Sequence, residues 1–231
     1  MPTLFITGAS RGIGLEFVRQ YLMDGWIIHA SARNLKKADS LMSLSCLHDR
    51  LITVHEVDVT DKKQINNVSH ELRDQPIDIL INNAGMWAGD KERFGQFTNA
   101  NLMEQFHCHV FGTMAICEAF LEHLKAGEKK LIVNISSGNG SFGWPKSVGN
   151  YPYDTSKAAL NFLTKALSND LKDLGITVVS LTPGYVTTDM SGPNADLEPK
   201  ESVNGMRSVI NGLTPELTGS FFRYNGEYMP W

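Results

Sequence analysis

Three side chains suited to proton transfer beside a carbonyl group follow one another closely in this sequence. Tyr153 and Lys157 stand four positions apart, which places both on one face of a helix, and Ser137 precedes them after an apolar run. A free tyrosine has a pKa of about 10, so a nearby positive charge is needed to favour its phenolate near neutral pH. Lys157 can supply that charge, and the Ser137 hydroxyl can orient a substrate oxygen. The three residues predict acid–base catalysis at a carbonyl or an alcohol.

A glycine-rich turn near the start of the chain predicts a nucleotide site. Gly8, Gly12 and Gly14 follow the first apolar run and open a helix-length segment. A turn without β-carbons lets backbone N–H groups and a helix N-terminus approach a pyrophosphate. The spacing is one residue wider than the usual dinucleotide fingerprint, and a plain turn is the alternative interpretation. The other residues of this turn that we expect to contact the cofactor are Ser10, Arg11 and Ile13.

Polar and small residues end the later apolar runs, where the ligands of a parallel sheet bind. Asp58 can accept a hydrogen bond from an adenine amino group, although it could simply cap the next helix. The main chain of Val186 and the hydroxyl of Thr188 can hold a carboxamide. The cofactor contacts predicted at these positions are Asp58, Val59, Asn83, Ala84, Gly85, Pro183, Gly184, Val186 and Thr188, together with Tyr153 and Lys157 themselves.

The end of the second apolar run predicts which nicotinamide cofactor is preferred. A carboxylate at this point binds the ribose 2′-hydroxyl of NAD, whereas an arginine accommodates a 2′-phosphate. The sequence has Arg33 and Asn34 here and no carboxylate, and Arg11 adds a second positive charge nearby. We therefore expect NADP(H) to be preferred, with NAD(H) possible. The alternative is that both arginines are solvated surface charges.

Composition limits the remaining classes of function. The chain has 231 residues, 42% of them hydrophobic, and a net charge of −4, so neither nucleic acid nor an anionic membrane is an expected partner. We expect neither a transmembrane helix nor a signal peptide. The three cysteines are scattered and without metal spacing, as in a reduced cytoplasmic protein.

Alternating strand-length and helix-length segments predict a single α/β domain over residues 1–231. Most of the strand-length runs are continuously apolar, as strands covered on both faces should be. We expect a doubly wound, Rossmann-type parallel sheet of about seven strands with helices on both faces. The predicted strands are residues 3–7, 26–32, 51–57, 77–82, 130–136, 176–182 and 220–223. The predicted helices are residues 12–24, 61–73, 101–125, 152–174 and 199–211.

These motifs together resemble the classical short-chain dehydrogenase/reductase family. Thr-Gly-x-x-x-Gly-Ile-Gly, Asn-Asn-Ala-Gly, Ser137, Tyr153-x-x-x-Lys157 and Pro183-Gly184 fall in the family's order and spacing along essentially the whole chain. The resemblance implies that Tyr153 is the acid/base, Lys157 its activator and ribose ligand, and Ser137 the substrate-orienting hydroxyl. The closing Gly-Glu-Tyr-Met-Pro-Trp is similar to the tail of the C-factor-like and Sniffer-like branch, whose members resemble carbonyl reductases.

The sequence departs from the family pattern at two places. His109 replaces an asparagine that commonly holds a water of the proton relay to the lysine, so we expect turnover to be weaker or more sensitive to pH. A helix residue without a catalytic role is the equal alternative at that position. The loop between Ser137 and Tyr153 is longer than usual and carries Trp144 and Pro145.

The predicted function is an oxidoreductase that transfers a hydride between NADP(H) and a carbonyl compound or secondary alcohol. The alternative is a weakly catalytic NADP(H)-binding signalling or regulatory protein on the same fold. A homodimer or homotetramer is expected because family members usually pair through their long helices and fold the C-terminus against a partner. Large apolar residues near the motifs suggest an apolar or aromatic substrate: Met86, Trp87, Trp144, Tyr185 and Met190.

Overall fold

Seven strands of the computed structural model form one parallel sheet. The structure describes residues 1–87, 94–145 and 149–231. The strands are β1 (Thr3–Ile6), β2 (Ile27–Ala32), β3 (Ile52–Glu56), β4 (Ile79–Asn82), β5 (Leu131–Ile135), β6 (Thr177–Thr182) and β7 (Phe221–Arg223). Their order across the sheet is β3-β2-β1-β4-β5-β6-β7, so the chain direction across the sheet reverses between β1 and β4. In such sheets the ligand crevice opens at the carboxyl ends of the strands at this reversal. The predicted Rossmann-type fold is confirmed.

Helices cover both faces of the sheet. They are α1 (Gly12–Met23), α2 (Asp39–Leu47), α3 (Lys62–Glu71), α4 (Asn99–Phe106), α5 (Thr113–Ala119), α6 (Leu121–Ala126), α7 (Tyr151–Asp170) and α8 (Pro199–Asn211). The predicted helix 101–125 is three helices, α4 to α6, with a π-helical turn (His107–Gly112) between the first two. Helix α2 was not predicted, because its sequence contains three serines and buries only Leu41.

Strands β1, β4, β5 and β6 contribute alternate side chains to two separate cores. On one face Leu4 and Ile6 of β1 pack with buried residues of α1 and α8, and on the other Phe5 packs with buried residues of α3, α5 and α6. Because both faces of these strands are covered by helices, their sequences are mostly apolar and do not alternate with exposed polar residues. In the described ranges, no helix is both long and apolar enough to cross a membrane.

The helix boundaries follow local signals in the sequence. Gly25 and Gly175 have φ of 75° and 72°, the left-handed conformation that glycine adopts readily where a helical segment ends. The carboxylate of Asp61 caps α3 by accepting from the Lys63 and Gln64 N–H groups. The Gln64 side chain does not complete a reciprocal cap with Asp61, because it accepts from the Asp58 N–H at 2.8 Å. Gln64 thus fixes the chain where β3 leads into the predicted adenine contact.

Candidate active site

The glycine turn after β1 packs directly against the chain that follows β4. Gly8 has φ of 66°, and a β-carbon there would lie 2.7 Å from Ala84 Cα. A β-carbon on Gly14 would lie 2.4 Å from the Gly8 carbonyl oxygen. No side chain fits at either position, because both contacts are with backbone atoms. Glycine is therefore required to bring the N-terminus of α1 close to the carboxyl ends of β1 and β4, where a pyrophosphate would bind.

Asn83 holds this turn in place. Its side-chain amide donates to the carbonyl oxygens of Thr7 at 2.9 Å and Gly8 at 3.0 Å. The Thr7 hydroxyl accepts from the N–H groups of Asn83 and Ala84, both at 3.0 Å. The structure thus gives the Asn83 side chain a structural role. Its neighbour Gly85 is exposed, and Ser10 and Ile13 are half-buried on the turn itself.

The predicted adenine and ribose contacts lie at the carboxyl ends of β2 and β3. Arg33 is exposed, and Asn34 caps a short 3-10 turn by accepting from the Lys36 N–H at 3.0 Å. One carboxylate oxygen of Asp58 accepts from the N–H and the hydroxyl of Thr60, at 2.9 and 2.7 Å. Val59 is buried beside Gly112 of the π-helical turn. Asp58 is thus partly committed to its own turn, but it does not cap the next helix as its alternative interpretation held, because Asp61 caps α3.

The loop after β6 reaches across to the glycine turn. Gly184 has φ of 82°, and Arg11 pairs with Asp189 of this loop at 2.9 Å. Ser191 donates its hydroxyl to the Val186 carbonyl oxygen and also lies 3.0 Å from the Thr188 hydroxyl. The Val186 carbonyl and the Thr188 hydroxyl, both predicted to help hold a carboxamide, therefore contact Ser191. Its involvement was not predicted, since a serine between strands has no distinguishing pattern.

Ser137, Tyr153 and Lys157 lie together at the carboxyl end of β5. The Ser137 side chain lies close enough to Tyr153 to lower the pKa of its phenol, and its hydroxyl accepts from the Asn139 N–H at 3.1 Å. Lys157 is almost fully buried, and its ammonium donates to the Ile135 carbonyl oxygen at 3.0 Å and lies 5.8 Å from the centre of the Tyr153 ring. Within the described residues, the Ile135 carbonyl oxygen is the one hydrogen-bond acceptor of the Lys157 ammonium. A buried cation with donors left over fits a ligand that presents hydroxyl groups, such as a nicotinamide ribose.

In the absence of a bound cofactor, burial is the main cause of the shifted pKa values of Tyr153 and Lys157. Burial raises the pKa of Tyr153 to about 12, and the Ser137 side chain opposes that shift only in part. Burial lowers the pKa of Lys157 to about 8. The predicted lowering of the tyrosine pKa by Lys157 is therefore absent from the protein by itself. A further positive charge beside the ring is needed to make the phenolate accessible.

His109 is fixed by protein groups on both sides of its ring. Nε2 accepts from the Met86 N–H at 3.0 Å, and Nδ1 lies 2.8 Å from the Ser156 hydroxyl, which donates to the Tyr153 carbonyl oxygen. This arrangement defines a neutral ring protonated on Nδ1. Burial, and then the charge of Lys157, hold the pKa of His109 well below its usual range.

The ring of His109 stands edge-on to Tyr153, with 5.7 Å between the ring centroids. The sequence position of His109 suggested that its ring could hold a relay water. Its two ring nitrogens are instead bonded to the Met86 N–H and the Ser156 hydroxyl, so the ring is not placed to hold that water. We infer that it positions the first turn of α7. The sequence could not show this, because Met86 and Ser156 carry no motif.

A buried polar network fixes α7 against the sheet. Asn82 donates to Asn134 at 2.9 Å, and Asn134 donates to Thr164 of α7 at the same distance. Asn161 accepts from the hydroxyls of Ser136 and Ser180, at 2.7 and 3.0 Å. Buried polar groups require partners, so these bonds define one position for the helix. They thereby hold Tyr153 and Lys157 against the end of β5.

Two of the predicted substrate-wall residues contact the elements that carry the catalytic side chains. Trp87 donates from its indole N–H to the Asn150 side chain at 2.9 Å, immediately before α7. Trp144 lies against Gly138, the residue after Ser137. Tyr185 and Met190 are exposed on the loop after β6, and Met86 is half-buried. Part of the long loop, residues 146–148, lies outside the described residues.

Comparison with known proteins identifies the family of this chain. Residues 2–198 match the short chain dehydrogenase family. C-signal of Myxococcus xanthus is 39% identical over 159 residues, which is 68% of this chain and 93% of that protein. The chain therefore belongs to the short-chain dehydrogenase/reductase family, a class of NAD(P)-dependent oxidoreductases.

Two solved structures are similar along the whole chain. The carbonyl reductase Sniffer of D. melanogaster has a TM-score of 0.93 at 30% identity, covering 100% of both chains. The NADPH-bound carbonyl reductase from chicken fatty liver has a TM-score of 0.90 at 31% identity, covering 100% of this chain and 99% of that one. Together with C-signal, they confirm the family and the branch that the motifs and the tail had indicated.

Proposed function

We propose that this protein is an NADP(H)-dependent carbonyl reductase acting on apolar or aromatic carbonyl compounds. The observation that carries the proposal is the placement of Ser137 and Tyr153 together beside the buried ammonium of Lys157. The glycine turn and the ends of β1 and β4 provide the phosphate end of the same crevice. The NADPH named in the chicken-liver reductase structure supports the choice of cofactor.

The proposed mechanism gives each side chain one task. Ser137 donates to the substrate carbonyl oxygen and holds it against the Tyr153 hydroxyl. When bound, the nicotinamide supplies the hydride and, once oxidised, a positive charge. Tyr153 gives its proton to the developing alkoxide, and Lys157 stabilises the resulting phenolate. Because the pKa of Tyr153 is about 12 without a ligand, we infer that this acid–base step depends on the bound cofactor.

The direct test follows NADPH absorbance with the purified protein and a panel of ketones, aldehydes and quinones. Oxidation with at least one compound, lost in Tyr153→Phe, is the expected result. Tight NADPH binding without oxidation of any compound would contradict the reductase and favour the second candidate below.

We expect Arg33 to determine the cofactor preference. Arg11 is paired with Asp189, whereas Arg33 is exposed at the end of β2. Arg33→Ala should weaken NADPH binding about tenfold and change NADH binding by less than about twofold, because a charge-assisted bond to the 2′-phosphate is lost. Titration of cofactor fluorescence measures both constants, and Lys37→Ala, on the next turn, is the control. Equal losses for the two cofactors would show that Arg33 does not read the 2′-phosphate.

We also propose that the protein is a homodimer formed through α4, α5 and α7. These helices expose the large apolar side chains of Met103, Met114 and Phe162, the last 77% exposed, and the π-helical turn between α4 and α5 exposes Phe111. Such residues are uncommon on a free surface when they are clustered. Light scattering at micromolar concentration should give twice the chain mass of 25.6 kDa, and Phe162→Asp should reduce it to one chain. A single-chain mass for the unmodified protein would contradict the dimer.

We propose a cytoplasmic location from the three cysteines that suggested it in the sequence. Cys46, Cys108 and Cys117 are all free thiols in the structure. Free thiols persist in a reducing compartment. Cell fractionation tests this assignment, and recovery in a secreted fraction would contradict it.

A signalling role is the second candidate. It is supported by the 39% identity to a protein named C-signal and by the protein-bound ring of His109 where the family commonly has a relay asparagine. The intact Ser137, Tyr153 and Lys157 favour catalysis. The two candidates are separated by the NADPH assay, because a regulatory protein would bind the cofactor without turning it over.

A further inference from the structure

We propose that residues 229–231 position the substrate loop, which we define as residues 137–144, and thereby set the preference for bulky substrates. The inference rests on the proposed reductase function. The sequence of this segment indicates only a tail similar to that of the C-factor-like and Sniffer-like branch. In the structure the tail folds against the substrate loop of its own chain.

Three hydrogen bonds cross from the tail to the substrate loop, and a fourth lies within the loop. The fully buried Ser141 hydroxyl donates to the Pro230 carbonyl oxygen at 2.5 Å and accepts from the Trp144 N–H at 3.1 Å. The N–H groups of Phe142 and Gly143 donate to the Trp231 oxygen at 2.8 and 3.2 Å. Three of these bonds cross directly to the tail, and the fourth folds Trp144 onto the same serine.

The tail is itself anchored to the sheet. The Met229 N–H donates to the Phe221 carbonyl oxygen of β7 at 2.8 Å. The Trp231 ring stacks on the Phe221 ring, with 5.4 Å between centroids and 28° between planes. A loop bonded to this segment is therefore held in a fixed position relative to the end of the sheet.

The other side of the loop rests on the catalytic helix. A β-carbon on Gly140 would lie 2.7 Å from the Lys157 carbonyl carbon, so the loop has no room to move inward. The Trp144 ring and the Met229 side chain both contact Gly138, which follows Ser137. The substrate loop is thus packed between α7 and the tail. If the tail is removed, outward movement becomes possible, and Trp144 and the turn after Ser137 move with it.

The test compares Ser141→Ala and a chain ended after Met229 with Tyr228→Ala as the matched control. Tyr228 belongs to the same tail, but its ring packs on Phe222. The kcat/KM ratio between a two-ring aromatic ketone and a small aliphatic aldehyde is measured with NADPH. We expect this ratio to fall about tenfold in both variants and to stay within about twofold in the control, since misplacing a substrate-wall residue penalises the larger substrate. The dissociation constant for NADPH should change less than about twofold.

Hydrogen exchange measured by mass spectrometry provides a readout that does not need activity. Exchange should become faster at residues 138–144 in both variants and remain unchanged at the glycine turn. Unchanged exchange in the loop, an unchanged substrate ratio despite faster exchange, or an equal effect of Tyr228→Ala would each overturn the proposal. If the unmodified protein reduces no carbonyl compound, the reductase function fails, while the exchange comparison still decides whether the tail positions the loop.

Discussion

Tyr153→Phe is expected to lower kcat for carbonyl reduction by about 10³-fold, the effect of removing a positioned general acid. The phenylalanine ring keeps the contact with His109, whose ring centroid lies 5.7 Å away, and keeps an aromatic ring 5.8 Å from the Lys157 ammonium. What disappears is the hydroxyl that lies beside Ser137 and donates the proton. The affinity for NADPH should change by less than about threefold, because the phosphate end of the crevice is separate.

Tyr151→Phe is the matched control for this variant. Tyr151 lies two positions earlier on α7, is exposed, and packs on Phe94 and Phe97 through its ring, so loss of its hydroxyl should leave kcat within about twofold. Turnover is measured from NADPH absorbance at saturating substrate, and cofactor binding from fluorescence. Residual turnover above about a tenth of the unmodified rate in Tyr153→Phe would show that another group donates the proton.

The fold could be predicted from the sequence because most strands are buried on both faces. Each of these strands centres on a short apolar run, such as residues 4–6 and 131–133, and helix-length segments separate the runs, which leaves few alternatives to a parallel sheet. Prediction failed where the local pattern was weak. Helix α2 buries only Leu41, and the single predicted helix 101–125 contains a π-helical turn that places His109 against Met86 and Ser156.

The candidate site was predictable at the level of motifs but not of contacts. The glycine turn, Ser137, Tyr153 and Lys157 occur at spacings that determine which strand ends carry them, and the structure brings the last three together. Their partners are backbone atoms or ordinary polar residues, such as the Ile135 carbonyl and Ser191, which have no pattern of their own. The proton affinity of Tyr153 depends on burial, which spacing in a sequence does not report.

A buried histidine pair is expected to make this protein unstable in acid. His29 of β2 is 4% exposed, with Nδ1 3.2 Å from His55 Nε2 and Nε2 3.1 Å from the Gln75 side-chain oxygen. Since Gln75 accepts from Nε2–H, Nδ1 must accept from His55, and the pair is neutral. A proton added to Nδ1 would face the His55 N–H. Burial, followed by the charge of His55 and opposed by the Gln75 hydrogen bond, lowers the pKa of His29 to about 4.

The sign of the effect on stability follows from that shift. The unfolded chain binds the proton near pH 6.5 and the folded protein only near pH 4, so folding stability is complete above pH 6.5 and decreases as the pH falls toward 4. Between pH 7 and 4.5 the loss attributable to His29 is about 2 kcal/mol. His123, a third buried histidine nearby, acts in the same direction on the pKa of His29.

Urea unfolding of the unmodified protein, His29→Gln and His70→Gln at pH 7 and pH 4.5 measures this contribution. His29→Gln should lose about 2 kcal/mol less than the unmodified protein on acidification, because no imidazole remains at that position to be protonated. His70 is exposed on α3, so His70→Gln should reproduce the unmodified loss. The carboxylates are the same in all three proteins, so their contributions cancel in the comparison. Equal losses in all three would mean that the fold opens around His29 and hydrates it before it is protonated.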